Sequence, residues 1–374
     1  MTEFRWQFRF DAPTNKVWPY VSDMQRVEKA VGAPDVEFDN TAEPRGGSVL
    51  HGRARQLGMV LEWSERPFEW VAEKRYCIER IYTKGPLSRA TSVVELQPEG
   101  ETTLVVQTMT IIGRNSLWDF VARFVVGFQM RRGFLATYQS IADHLDSDLK
   151  SAFPVTNTPV VNRGRLKVLT RRLSSKANPD MCQLLHALIT EGDDFDLAGV
   201  RPFAWADKLE RDRRDVLSFL MRATDVGLMN LAWNILCSRC LNAAVTTSQL
   251  GQVERWVHCD SCKIDYRGNI SENVEVVFWP SPSVRKVQRE NYCVAGPQTT
   301  PHVVVQQIVA PGKTQTHRLH LVPGHYTARG KYFSGDWTVK VVDSGLSELT
   351  VTPTSENEPV QQVGCDFNLT LHND

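Results

Sequence analysis

The feature that most restricts this chain is a pair of short cysteine motifs, Cys237-Ser-Arg-Cys240 and Cys259-Asp-Ser-Cys262, with eighteen residues between them. Each C-x2-C turn lets two thiolates converge on one side, and two such turns at this separation complete a tetrahedral sulfur shell of the zinc-ribbon type. The spacing therefore predicts a Zn²⁺ held by Cys237, Cys240, Cys259 and Cys262, with residues 237–272 as the ribbon. All four positions would be filled by protein, which leaves no site for water or substrate, so the metal is expected to be structural and not catalytic. A redox dithiol, which needs only one such motif, and accidental buried cysteines are the competing readings. His258, next to Cys259, is a substitute ligand that the quartet does not require. Cys77, Cys182, Cys293 and Cys365 lack this spacing and read as core or surface thiols.

A ribbon organises only a small part of the chain, so other cores must exist. With 374 residues, 42% apolar and 23% charged, the composition is that of a globular protein of two or three domains. Eight cysteines are too few for a secreted disulfide scaffold. The 43 basic residues cancel the 43 acidic ones, which argues against coating nucleic acid or an anionic membrane through the overall field and leaves only a local patch. Glu3, Arg5 and Arg9 interrupt the start, so no signal peptide is expected and the chain is placed in the cytoplasm. The most apolar stretch, 116–128, is broken by Asp119 and Arg123 and is too short to cross a bilayer, so no transmembrane segment is expected.

Residues 1–148 read as one domain. Phe4, Trp6, Phe8 and Phe10 alternate with polar residues and share one face of a strand. Residues 15–24, with Val17, Trp18 and Val21, follow as a short helix. Runs at 90–96 and 102–112, joined by Gln97-Pro-Glu-Gly-Glu101, predict a hairpin at the end of an antiparallel meander. From Ser116, with Asp119 three residues on as a capping-box-like start, one long amphipathic helix is expected. Its stripe is Leu117, Phe120, Val121, Phe124, Val125, Phe128, Leu135, Tyr138, Ile141, Ala142 and Leu145, eased at Gly127 and Gly133. This order is a helix-grip arrangement. Through Phe10-Asp-Ala-Pro-Thr-Asn-Lys-Val-Trp18 in particular, the segment resembles the START-like or polyketide-cyclase-like superfamily. The resemblance implies a cavity between sheet and helix for an apolar small molecule or lipid, with Trp63, Tyr76, Met109, Phe124 and Phe128 as candidate lining residues and core packing as their alternative. Asp23, Glu28, His51 and Glu62 are scattered and nothing pairs them as acid and base.

Residues 149–178 read as a basic linker. It begins with a stretch rich in Pro, Ser, Thr and Asn and continues with Arg163, Arg165, Lys167, Arg171, Arg172 and Lys176 without an acid. Leu166, Leu169 and Leu173 share a helical face, so a docked helix with a solvated basic side is the alternative to an anion-binding surface. Residues 179–236 carry helical patterns at 181–191, 202–209 and 212–224 and a strand pattern at 228–235, which suggests a winged-helix-like unit. Arg211, Arg213, Arg214 and Arg222 make a DNA reader conceivable, but Asp212 and Asp215 among them oppose phosphate, and nucleic acid is not an expected partner. Short strand patterns over 273–374 between Gly and Pro turns suggest a β-sandwich. His317, His320 and His325 lack ligand spacing, and Cys293 with His302 lacks an orienting third group.

A second set of motifs is more specific: Asp212-Arg-Arg-Arg with Val216-Leu, Gly227-Leu, Leu231-Ala-Trp-Asn-Ile-Leu-Cys-Ser-Arg-Cys240, His258-Cys-Asp-Ser-Cys262, Asn273-Val-Glu-Val-Val-Phe278, Tyr292-Cys-Val-Ala-Gly-Pro and Thr300-Pro-His-Val. In this order they resemble a domain that lies between a START-like domain and the catalytic domain of many bacterial class III adenylate/guanylate cyclases. The resemblance covers 162 to the end, and no cyclase domain follows in this sequence. Nor is there a P-loop, G-x-G-x-x-G, G-x-S-x-G or H-E-x-x-H motif. The expected fold is α+β multidomain: a START-like helix-grip domain, a winged-helix-like helical module with a zinc ribbon, and a C-terminal β-sandwich. The expected function is a non-catalytic, ligand-sensing regulatory region whose partners are an apolar small molecule, a cyclase catalytic domain in cis or in trans, and a second copy as a homodimer. The alternatives are a DNA-associated adaptor and a START-like small-molecule enzyme.

Overall fold

The computed structural model describes residues 1–42, 48–56, 58–147, 152–154, 159–238, 240–252, 256–259, 264–287, 292, 296–330, 337–352 and 360–373. Alternating aromatics set the first strand, β1 (Thr2–Phe10), and aim Phe4, Trp6, Phe8 and Phe10 inward. Two short helices follow, α1 (Thr14–Val21) and α2 (Met24–Ala30), the second capped by the Asp23 carboxylate, which accepts from the Arg26 N–H at 3.2 Å. The meander then runs through β2 (Val36–Ala42), β3 (Ser48–Gln56), β4 (Met59–Glu65), β5 (Glu69–Val71), β6 (Arg75–Lys84), β7 (Leu87–Glu99) and β8 (Thr102–Gly113). The sheet order is β1-β8-β7-β6-β4-β3-β2, with β5 on β6, and every one of these pairings is antiparallel.

At Gly52 the strand has no room for a side chain: it stands opposite Trp63 in the register, and a Cβ there would overlap the indole. Gly52→Ala should cost about 1–3 kcal/mol, because the packed ring must leave its position. An unchanged denaturant midpoint would show that Trp63 can move freely.

The closing helix starts one residue earlier than the capping-box pattern implies. Asn115 accepts from the Trp118 N–H at 3.0 Å, while the Asp119 carboxylate accepts from the Gly113 N–H at 2.7 Å. It comprises α3 (Ser116–Phe124), a π-helical stretch (Val125–Met130) and α4 (Arg131–Asp146). An α-helix advances about 100° per residue, and the wider π turn advances less, so the stretch changes the phase of the apolar stripe. Phe134, Tyr138 and Ile141 on α4 are buried against the sheet, whereas Leu117, Phe120, Phe124 and Phe128 stand exposed. The single stripe expected from sequence is therefore split. Gly127 is needed at the crossing, where a Cβ would lie 2.9 Å from the Phe4 ring.

The second module has its own core. Residues 163–174, assigned by sequence to a basic linker, form α5 (Arg163–Ser174), whose Leu166, Leu169 and Leu173 are buried while its arginines face solvent. Next come α6 (Pro179–Glu191), α7 (Asp194–Leu197), α8 (Pro202–Lys208) and α9 (Arg213–Asp225). Strand β9 (Met229–Leu236) pairs with β10 (Ala243–Thr247) and with β13 (Val274–Pro280); between these lie β11 (Trp256–Cys259), β12 (Ile264–Arg267) and α10 (Ile270–Asn273). Thus β13, placed by sequence in the C-terminal domain, belongs to this module: its register on β9 runs from Val274↔Ile235 to Pro280↔Met229.

The last region starts by crossing back. Strand β14 (Val305–Gln306) pairs with β5 of the first sheet, and Trp70 donates its indole N–H to the Val303 carbonyl at 2.8 Å. Strands β15 (Lys313–His320), β16 (Gly324–Ala328), β17 (Trp337–Val351) and β18 (Gln361–Asn373) form a sheet in the order β15-β18-β17-β16. Among the described residues these strands make one sheet in place of the expected two-sheet sandwich. Where short strands were expected, 337–351 is one long strand, and β18 runs parallel to it with a shift of register between Val341 and Glu348. Among the described residues no helix is long and apolar enough to cross a membrane.

Candidate functional site

Among the described residues, one group of metal-ligating side chains comes together: Cys237, Cys240 and Cys259, whose sulfurs lie within 4.8 Å of one another. Two turns of chain bring them there. Cys237 follows β9, and its N–H donates to the Asn242 carbonyl at 2.8 Å while its own carbonyl accepts from the Leu241 N–H at 2.8 Å. Leu241 takes φ +57° to close this knuckle. Cys259 ends β11, paired with Ile264 at the start of β12, so the first cysteine of the second motif stands at one end of this two-stranded ladder. Cys262 lies outside the described residues.

The donor set fits a tetrahedral zinc. Four sulfurs at about 2.3 Å from one ion are about 3.8 Å apart, and Cys240 Sγ lies 3.8 Å from Cys259 Sγ. A disulfide would hold sulfurs at about 2.05 Å, and among the described residues no cysteine is in one. Cys237 and Cys259 are buried with Ile235, Val257 and Tyr266, which shields the cluster on the module side. Strand alternation turns His258 the other way, where its Nδ1 meets the Asp265 carboxylate at 2.9 Å. Among the described residues, His317, His320 and His325 do not join a metal-ligating group; His320 faces Asp366 at 3.2 Å.

The five residues expected to line a cavity are divided. Tyr76 is buried and donates its hydroxyl to the Val21 carbonyl at 2.9 Å, and Met109 packs in the same core. Trp63 sits in a separate cluster with Val36, Ala54 and Leu61, its indole N–H directed at Glu65 at 3.2 Å. Phe124 and Phe128 are 75% and 66% exposed, and their rings stack on each other at 6.5 Å. The space between sheet and α4 is occupied by side chains: Trp6 against Phe134 at 5.6 Å, Phe8 and Phe10 against Tyr138 at 5.8 and 6.0 Å. Tyr138 donates to the Gln107 side-chain oxygen at 2.8 Å, and burial pushes its phenol above the ordinary value. An open groove of about 430 Å³ instead lies on the outer side, lined by Gly127, Phe128, Arg131, Arg132, Leu135 and Ala136.

Sequence reading did not find a buried charge cluster. Arg80 reaches Glu28 at 2.7 Å and Glu65 at 3.4 Å, with its guanidinium 5.2 Å from the Trp63 ring centre. Burial pushes the Glu28 carboxyl up; Arg80 opposes this and Glu65 adds to it. Burial also works against the Arg80 charge, but Glu28 and Glu65 hold it well above the ordinary arginine value. Glu65 and Arg80 are directly opposed in the β4–β6 register, a relation that spacing along the chain does not reveal.

The modules meet at α2 and α7. Arg26 donates to Asp196 at 2.7 Å, Lys29 lies 3.5 Å from Asp193, and both cations sit over the Phe195 ring, at 5.9 and 5.0 Å. Burial would raise the Asp196 carboxyl, but the Arg26 hydrogen bond and charge lower it below the ordinary value. On the helices read as a DNA reader, Arg213 is held by Asp207 through two contacts of 2.8 Å, and Arg222 donates to the Lys176 carbonyl at 2.6 Å.

Comparison with known proteins places residues 165–296 in a match to a family of unknown function (DUF5939), which takes in the helical module, the cysteine cluster and β13. A search of curated proteins finds no match. Among solved structures, the ZhuI aromatase/cyclase from Streptomyces sp. R1128 is 15% identical, covering 41% of this chain and 99% of its own, with a TM-score of 0.30. A protein from Thermus thermophilus is 23% identical, covering 35% of this chain and 88% of its own, with a TM-score of 0.26. A Thalictrum norcoclaurine synthase point mutant in complex with a transition-state analogue is 8% identical, covering 39% of this chain and 96% of its own, with a TM-score of 0.29.

Proposed function

We propose that this chain is a non-catalytic regulatory region, like that of a bacterial class III adenylate/guanylate cyclase. In this reading an apolar small molecule taken up by the helix-grip module changes how that module packs on a zinc-stabilised helical module. A cyclase catalytic domain, in cis or in trans and within a homodimer, would receive the change. The observation that carries it is the joint between α2 and α7, where two cation–carboxylate pairs share one aromatic ring. A ligand with different affinity for two packings of this joint would shift it by as much as that difference. The Zn²⁺, when held by Cys237, Cys240, Cys259 and Cys262, supplies a fixed crosslink and no reaction. The engagement of Arg213 and Arg222 by the protein itself weighs against the DNA-associated adaptor.

Because the helix-grip core is filled by aromatic side chains, ligand uptake must displace some of them. Native mass spectrometry of protein purified from cells should show a retained apolar molecule. Hydrogen exchange at 193–197 should then differ by at least threefold between the loaded protein and protein stripped of that molecule. No retained molecule, or identical exchange in the two forms, refutes the sensor reading.

A further inference from the structure

We propose that the outer face of α3 and the adjoining π turn is a docking surface for an anionic phospholipid bilayer. Five large apolar side chains within twelve residues face solvent there: Leu117, Phe120, Val121, Phe124 and Phe128. They follow helical spacing, so they form one contiguous band, and an exposed apolar band of this kind marks a contact surface. The π stretch produces it by turning the band away from the core that α4 buries. An isolated π turn inside an α-helix is costly to keep and recurs at functional positions.

The charge beside the band selects the occupant. From 116 to 136 the chain carries Arg123, Arg131 and Arg132 against one acid, Asp119, which is already engaged by the Gly113 N–H at 2.7 Å and by the terminal ammonium at 3.0 Å. All three arginines are exposed. Arg131 and Arg132 line the 430 Å³ groove together with Gly127, Phe128, Leu135 and Ala136. Two exposed arginines in one groove with apolar side chains suit a lipid phosphate and the start of its acyl chain. A second copy on the same band would gather three arginines from each chain against Asp119 carboxylates that already have partners. A net charge of zero means that such attraction must be local, as this patch is.

The test is vesicle co-sedimentation of the full chain, with phosphatidylcholine vesicles that contain about one-third phosphatidylglycerol or none. Wild-type protein should bind the anionic vesicles at least tenfold more tightly than the neutral ones. Phe124→Asp/Phe128→Asp should abolish binding, and Arg131→Glu/Arg132→Glu should weaken it at least tenfold. These side chains are exposed, so the variants should keep the wild-type melting temperature, which checks their folding. Absence of wild-type binding, equal binding by the folded variants, or a dimer in solution that Phe124→Asp/Phe128→Asp converts to monomer would each overturn the proposal.

Discussion

Purified protein is expected to carry one zinc per chain, and Cys240→Ser is expected to unfold the second module around 237–267. Three sulfurs already lie within 4.8 Å of one another, and the 3.8 Å separation of Cys240 and Cys259 matches the edge of a zinc–thiolate tetrahedron. The β11–β12 pair that holds Cys259 has only four residues in each strand. A two-stranded hairpin of that length is not stable alone. Apparent zinc affinities in small ribbons reach roughly 10–16 kcal/mol, and that binding energy is also folding energy. Ser at 240 removes one thiolate and leaves the others facing one another without their ion. Elemental analysis checks the stoichiometry, and limited proteolysis between β10 and β12 checks the unfolding. A folded, metal-free protein under reducing conditions would sink the assignment.

Arg80→Met should destabilise the first module by about 3–5 kcal/mol, because it leaves two buried carboxylates without their cation. Glu28, Glu65 and Arg80 have side chains only 11%, 2% and 17% exposed, so water cannot replace the lost charge. The pH dependence follows from the raised Glu28 carboxyl. Between the ordinary glutamate value of 4.5 and its raised folded value, the native state binds more protons than the unfolded one. Stability from this group is therefore fully present below 4.5 and is lost as pH rises through the folded value. Removing Arg80 raises that folded value further, so the deficit of the variant should be larger near neutral pH than near the ordinary glutamate value. Adding Glu28→Gln should return part of the loss at neutral pH. A deficit under about 1 kcal/mol, or one that does not change with pH, contradicts this account, with urea unfolding as the measurement.

Much of the architecture was legible because local signals agreed with one another. Alternation in 4–10 gave β1, turn chemistry at Gly100 gave the β7–β8 hairpin, and two C-x2-C motifs gave the cysteine cluster. The departures have two causes. The stripe from Leu117 to Leu145 reads as one face only if every turn is an α turn, and the π stretch breaks that assumption. Phe124 and Phe128 were placed inside by the same extrapolation. The module boundary at 273 and the sandwich failed because strand partners are chosen across long sequence distances: β13 pairs with β9, and β14 with β5. For the same reason Glu28, Glu65 and Arg80 looked unrelated in sequence.

The pairing of β14 with β5 also bears on how the molecule is made. Phe68, Trp70 and Val71 are buried, and their backbone and indole groups are met by residues 303–307, more than 230 positions later. During synthesis the edge at β5 must wait through the whole second module before its partner strand exists. An unpaired edge beside a buried indole is a template for pairing with another nascent chain. A helix-grip module cut at 148 therefore lacks the strand that pairs with β5 and the carbonyl that accepts from the Trp70 indole. A fragment ending there should aggregate unless residues 303–307 are supplied to it as a separate peptide strand.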